Sequence, residues 1–176
     1  MQDRGLAAYI TELVGTFFLV FVIGTVVSLF VAGGSSAQFG SDFAVVGLVQ
    51  GLVLFLLVMT LGSVSGGHFN PAATTAALML RKINPVDAVV YILAQLSGAV
   101  LGALAVKGFL LDEGRAVNWG AGEVSSLLSG NFSGMLMEAI GTFMLVLATT
   151  LIIGNIISDI LLVALDPRIR LGGGSE

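Results

Sequence analysis

The residues Ser65-Gly66-Gly67-His68-Phe69-Asn70-Pro71-Ala72 lie between two strongly apolar runs, and almost none of them favours hydrocarbon. Two glycines, a histidine and an asparagine at bilayer depth are costly unless they line a water-filled cavity or are buried in protein. Asn is a preferred N-cap and Pro is tolerated at the first helical position. A short helix therefore starts at Pro71, inside the bilayer, with the positive end of its dipole toward a pore. Carbonyls on such an irregular segment can accept hydrogen bonds and the Asn amide can donate them. Sparse groups of this kind on an apolar wall neither strip water nor hold it.

Two carboxylates, Glu12 and Glu138, also sit in apolar surroundings. An intramembrane carboxylate raises the question of a proton pathway, but their matching places in a repeat (below) favour structural anchoring. His68 is the only histidine, and no Cys, Asp or Glu lies near it in sequence. It reads as a loop residue rather than a metal ligand. No nucleophile–base pair, phosphate-binding glycine loop or carboxylate dyad occurs, which argues against an enzyme.

The elements that must position these residues are membrane spans. The chain of 176 residues is 56% hydrophobic and 10% charged, against about 25% charged in soluble domains. Its net charge of −4 is spread out, with no basic patch for nucleic acid, and it has no cysteine for a disulfide or thiolate metal site. Four long apolar runs stand out: Leu6–Ala32, Phe43–Leu61, Val86–Val106 (opened by Asn84-Pro85) and one from near Met135 to about Leu165. The first is longer than a signal-peptide core and reads as a retained helix. Pro71–Leu80 reaches about half of a ~30 Å hydrocarbon core and reads as a re-entrant half-helix. With the N-terminus inside, Arg4, Arg81, Lys82, Arg168 and Arg170 are cytoplasmic, and only Lys107 and Arg115 are outside. Residues 33–42 and 107–134 then form external loops, with Trp119 at an interface. The sequon Asn131-Phe132-Ser133 reads as coincidental. Gly15, Gly24, Gly47, Gly51, Gly98, Gly102 and Gly141 read as packing positions. The spacing of Gly47–Gly51 and of Gly98–Gly102 suits close helix approach.

Glu12-Leu-Val-Gly15-Thr16-Phe17-Phe-Leu19-Val20 recurs as Glu138-Ala-Ile-Gly141-Thr142-Phe143-Met-Leu145-Val146, 126 residues later. Three crossings separate the copies, so the repeat is inverted, as in channel and transporter folds. It places a second Asn-Pro-Ala near position 196, beyond Glu176. The chain thus reads as the N-terminal part of a duplicated fold: a first half over 1–134, a fourth span over 135–165 and a tail over 166–176.

The chain resembles the aquaporin (major intrinsic protein) family of water and glycerol channels. The matching features are Glu12-x-x-Gly-Thr-Phe, Ser65-Gly-Gly-His-Phe-Asn-Pro-Ala, Ala94-Gln95 and Glu138-x-x-Gly-Thr-Phe, over about residues 6–150. The resemblance implies an all-α membrane fold, here about four spanning helices and one half-helix of a six-helix inverted repeat. It also implies a homotetramer in the cell membrane. By similarity Asn70, Pro71 and Ala72 mark the pore centre, and the carbonyls of Gly66, Gly67 and His68 line the inner vestibule. Glu12, Gln95 and Glu138 would anchor re-entrant loops. The family usually places Phe, Trp or His about twenty residues before the motif Asn. Gln50 stands there and makes the constriction more polar. The function implied is passive passage of water or small neutral solutes such as glycerol, without a cofactor. The 176 residues alone are expected to conduct poorly or not at all. The alternative is a non-conducting membrane subunit that associates with full-length channels.

Overall fold

The computed structural model describes residues 5–31, 41–122, 129–145 and 147. They fall in two compact units, Met1–Glu123 and Val124–Glu176. Every regular element among the described residues is helical.

In the first unit α1 spans Leu6–Val26 and continues as a π turn over Val27–Val31. α2 spans Ser41–Ser65, α3 Pro71–Met79 and α4 Pro85–Phe109. Three segments are long and apolar enough to cross a membrane: Leu6–Val31, Ala44–Ser65 and Pro85–Phe109. The first alone, at 26 residues, rises ~39 Å. Large apolar side chains such as Leu48, Phe55, Val86 and Leu104 are exposed along these helices. That is how a helix looks when lipid rather than protein covers it.

α3 has 9 residues, or ~14 Å at helical rise, and cannot cross a bilayer. The same local signals open α3 and α4. Asn70 Oδ1 accepts from Ala72 N at 2.8 Å, and Asn84 Oδ1 accepts from Asp87 N at 2.8 Å. Pro71 and Pro85 occupy the first helical turns. A left-handed Arg81, φ 55°, lies in the turn between them.

α1 and α4 pack closely because α4 offers glycines. A Cβ added to Gly98 would collide with the Leu13 carbonyl oxygen, and one on Gly102 would lie 2.7 Å from Phe17 O. Only a residue without a side chain lets backbones approach so far. A small core of Ala8, Ile83, Ala88 and Tyr91 closes one end of the pair. There Tyr9 donates to Asp87 Oδ1 at 2.5 Å. At the other end Lys107 lies 4.9 Å from the Trp119 ring centre, and the indole N–H donates to Leu110 O at 2.9 Å.

Several bounds differ from those read in the sequence. α2 continues to Ser65, so the apolar run past Leu61 is still helix. The loop expected over 107–134 is shorter: α4 holds 107–109, Arg115–Gly120 form a 3₁₀ turn, and α5 of the second unit covers 131–145. Gly47 and Gly51 have the same spacing as Gly98 and Gly102, yet a Cβ at either meets nothing within 4 Å. No described element of the first unit packs on that face of α2. Residues 32–40, Val146, 148–165 and the tail 166–176 lie outside the described residues.

This contrast is testable. Gly98→Ala is expected to lower unfolding stability in detergent by ~1–3 kcal/mol through overpacking. Gly47→Ala is expected to leave it unchanged or raise it by up to ~1 kcal/mol from helix propensity. Equal effects at the two positions would contradict the packing described.

Candidate functional site

Between α2 and α3 the chain runs as irregular backbone, and its N–H groups need partners because lipid supplies none. Each finds one. Gly66 N donates to Gly62 O at 2.8 Å and Gly67 N to Ser65 Oγ at 3.1 Å. His68 N donates to Glu12 Oε1 at 3.0 Å and Phe69 N to Glu12 Oε2 at 2.6 Å. Glu12 is fully buried and also accepts from Ser65 Oγ at 2.6 Å and Gln95 Nε2 at 2.7 Å. All four contacts are donors, as an acceptor-only carboxylate requires.

The planar trans peptide turns this clamp into an orientation rule. The N–H of His68 shares a peptide plane with the Gly67 carbonyl, and the two point in opposite directions. The same holds for Phe69 N–H with the His68 carbonyl, and for Gly67 N–H with the Gly66 carbonyl. Holding three successive N–H groups on the Ser65–Glu12 side therefore turns the carbonyls of Gly66, Gly67 and His68 the other way. The Gly66 and Gly67 carbonyls accept no hydrogen bond among the described residues. Left-handed φ values of 94° at Gly66 and 67° at Gly67 permit this path, which glycine adopts without strain.

Phe69 is left-handed too, at φ 44°, and is 1% exposed. Its ring fills the space where a Gly15 side chain would stand. Asn70 follows in extended conformation, φ −152°. Its Oδ1 is used by the α3 cap, and its Nδ2 makes no hydrogen bond among the described residues. The amide donors are thus left over at the positive end of α3.

Further side chains complete the network. Tyr91 donates to Ser65 O at 2.6 Å and packs edge-on to His68 at 5.3 Å between ring centres. Gln95 Nε2 also donates to Thr74 Oγ1 at 2.9 Å, and His68 Nδ1 lies 3.0 Å from the same hydroxyl. Thr74 and Tyr91 were not singled out from the sequence, and Ser65, Gly15 and Phe69 stood in its motifs without these contacts assigned to them. Tyr91 carried a signal, since it lies four residues before Gln95 and so on the same helix face.

Of the residues expected at the site, Glu12, Gly66, Gly67, His68, Asn70, Pro71, Ala72 and Gln95 come together. Gln50 is exposed on α2 and makes no hydrogen bond among the described residues. Glu138 is exposed on α5, in the second unit. Among the described residues no three His, Asp or Glu side chains gather in a metal-binding group.

Glu12→Gln places an NH₂ against groups that are all donors. It is expected to cost ~3 kcal/mol and to lower hydrogen-exchange protection at the His68 and Phe69 amides by roughly 100-fold. Unchanged protection there would mean that the carboxylate does not hold the segment.

The family model described as Major intrinsic protein matches residues 2–155. The chain is 35% identical over 147 residues to the Glycerol uptake facilitator protein-like 6 of Lactiplantibacillus plantarum, covering 84% of this chain and 63% of that protein. It is 35% identical over 140 residues to the Probable aquaporin PIP2-6 of Oryza sativa subsp. japonica, covering 79% of this chain and 49% of that one. It is 38% identical over 146 residues to the Aquaporin PIP2-5 of Zea mays, covering 79% and 51%. The chain spans about half to somewhat under two thirds of the length of these curated relatives. With a helical membrane fold and a family match across most of its residues, this chain belongs to the major intrinsic protein family.

Proposed function

We propose that this chain builds one half of a transmembrane pore for water and small neutral solutes such as glycerol. The observation that carries the reading is the pairing of an acceptor row, the Gly66 and Gly67 carbonyls, with uncommitted donors at Asn70 Nδ2. A neutral hydroxylic molecule can accept from the amide and donate to the carbonyls, exchanging one set of hydrogen bonds for another at little cost. Cations meet the positive end of α3 at the same place. Relatives named as an aquaporin and a glycerol uptake facilitator support the solute class without choosing within it. Pro71 and Ala72 hold the helix start, Gln50 adds polarity to the outer constriction, and Glu12 and Gln95 anchor the loop. Glu138 has the corresponding anchoring role in the second half.

The protein lies in the cell membrane with its N-terminus in the cytoplasm, following the bias of Arg and Lys, and associates as a homotetramer. Transport is passive and uses no cofactor. These 176 residues contain one Asn-Pro-Ala and so supply one of two facing half-helices. By themselves they conduct weakly.

Stopped-flow shrinkage of proteoliposomes tests this. The expected result is water permeability slightly above that of empty vesicles, removed by Asn70→Leu. Flux that Asn70→Leu leaves intact, or that stops when a proton gradient is dissipated, would sink the reading. Shrinkage at the rate of empty vesicles would favour the non-conducting subunit, which lowers flux when co-expressed with a full-length channel.

A further inference from the structure

Ser and Thr inside helices commonly donate to the carbonyl four residues back. Thr16, Thr60, Thr75 and Ser97 do so, at 2.7, 2.7, 2.8 and 2.8 Å. Thr25 and Ser28 do not. Thr25 Oγ1 and Ser28 Oγ are buried with no hydrogen-bond partner among the described residues, and Ser28 as a whole is 1% exposed. Three residues apart, Thr25 in the last turn of α1 and Ser28 in the π turn that continues it fall on neighbouring positions.

They sit where the helix changes type, since the π turn starts at Val27. The usual acceptor for Ser28 is Gly24 O. That oxygen already accepts from Val27 N–H, and Gly120 covers it, with an added Cβ 3.6 Å away. Gly24 in turn lies against Val106 and the Trp119 carbonyl, whose atoms would stand 3.0 and 3.2 Å from an added Cβ. Two buried hydroxyl oxygens therefore face this junction with two donors and four acceptor lone pairs unused.

We propose that Thr25 and Ser28 hold one buried water at this α-to-π junction, and that the water is a structural part of the end of α1. Buried waters typically satisfy polar groups that protein atoms leave over, with about three hydrogen bonds each. A water, which both donates and accepts, can pair with both hydroxyls at once. The π turn, an arrangement rarely seen outside special sites, then persists because water replaces the carbonyl that each hydroxyl lacks. This inference stands apart from the channel reading and concerns the opposite end of α1 from Glu12.

The test is a double-mutant cycle on the full chain in detergent, with Thr25→Val, Ser28→Ala and both together, read as the midpoint of thermal unfolding. A shared water predicts that each single change lowers the midpoint by ~2–4 °C. The double variant falls no further than the worse single, because the first change already expels the water. Two plain orphan hydroxyls predict the reverse, a rise on each replacement. Additive losses would show two independent bonds. Either result overturns the proposal. A crystal structure gives the direct reading. The expected result is ordered density within ~3.2 Å of both oxygens. Both hydroxyls turned onto the Phe21 and Gly24 carbonyls would overturn it.

Discussion

A carboxylate in the middle of an apolar helix is the constraint from which the rest of the first unit follows. Glu12 is fully buried, and a buried charge persists only when hydrogen bonds replace the water it has lost. The loop after α2 has the opposite problem, a run of N–H donors without the internal acceptors of a helix. Each requirement satisfies the other, through the contacts to Ser65, His68 and Phe69. The outcome is more than neutralisation. A regular helix spends its interior carbonyls internally, so within the span only irregular backbone can present a row of acceptors. Such backbone is tolerated at bilayer depth only if its N–H groups are held elsewhere. The buried carboxylate is what permits the exposed carbonyls.

For that clamp to close, α1 and α4 must lie very near each other. Gln95, Gly98 and Gly102 fall on one stripe of α4, and Glu12, Gly15 and Thr16 on one stripe of α1. Glycine at 98 and 102 brings the backbones into contact, and that closeness lets the Gln95 amide reach Glu12 at 2.7 Å. Polar contact and glycine packing are thus one device. Neither would form alone, because a buried Gln–Glu pair needs short reach and the glycines themselves bring little apolar area. Interhelical hydrogen bonds in membranes are individually modest, ~0.6 kcal/mol on average. The network links Glu12, which accepts, with Gln95, Thr74 and Ser65 rather than relying on any one bond.

The parts of this arrangement that were legible in the sequence are the local ones. Asn-Pro carries its own helix start, so the beginnings of α3 and α4 could be read directly, as could the shortness of α3. The membrane-length helices were plain from apolar runs, although the end of α2 and the start of α5 were misplaced by about four residues because apolar composition does not mark where a helix begins or stops. Distant pairings were not legible. Glu12 was visible as a carboxylate in an apolar run, but its partners lie 53 to 83 residues away. Gly47–Gly51 and Gly98–Gly102 are indistinguishable by spacing, and only the fold shows which pair meets a neighbour. The π turn left no mark at all, since its residues Val27–Val31 are as apolar as those before them.

Phe69 shows how tightly the site is located. A bulky residue with φ near +44° costs of order 1–2 kcal/mol, and it persists only where its surroundings fix it. Glu12 fixes its N–H at 2.6 Å, and the hollow at Gly15 fixes its ring. One residue later Asn70 must be extended to cap α3, and one residue after that Pro71 sets its own φ. Three consecutive residues are therefore held by three different means: a carboxylate, a helix cap and a ring. Because they are independent, loosening one does not free the others, and the Asn70 amide keeps its direction through Oδ1, with no contact at Nδ2 among the described residues. A donor whose partner is a passing molecule needs that property, since nothing permanent at its tip can hold it in place.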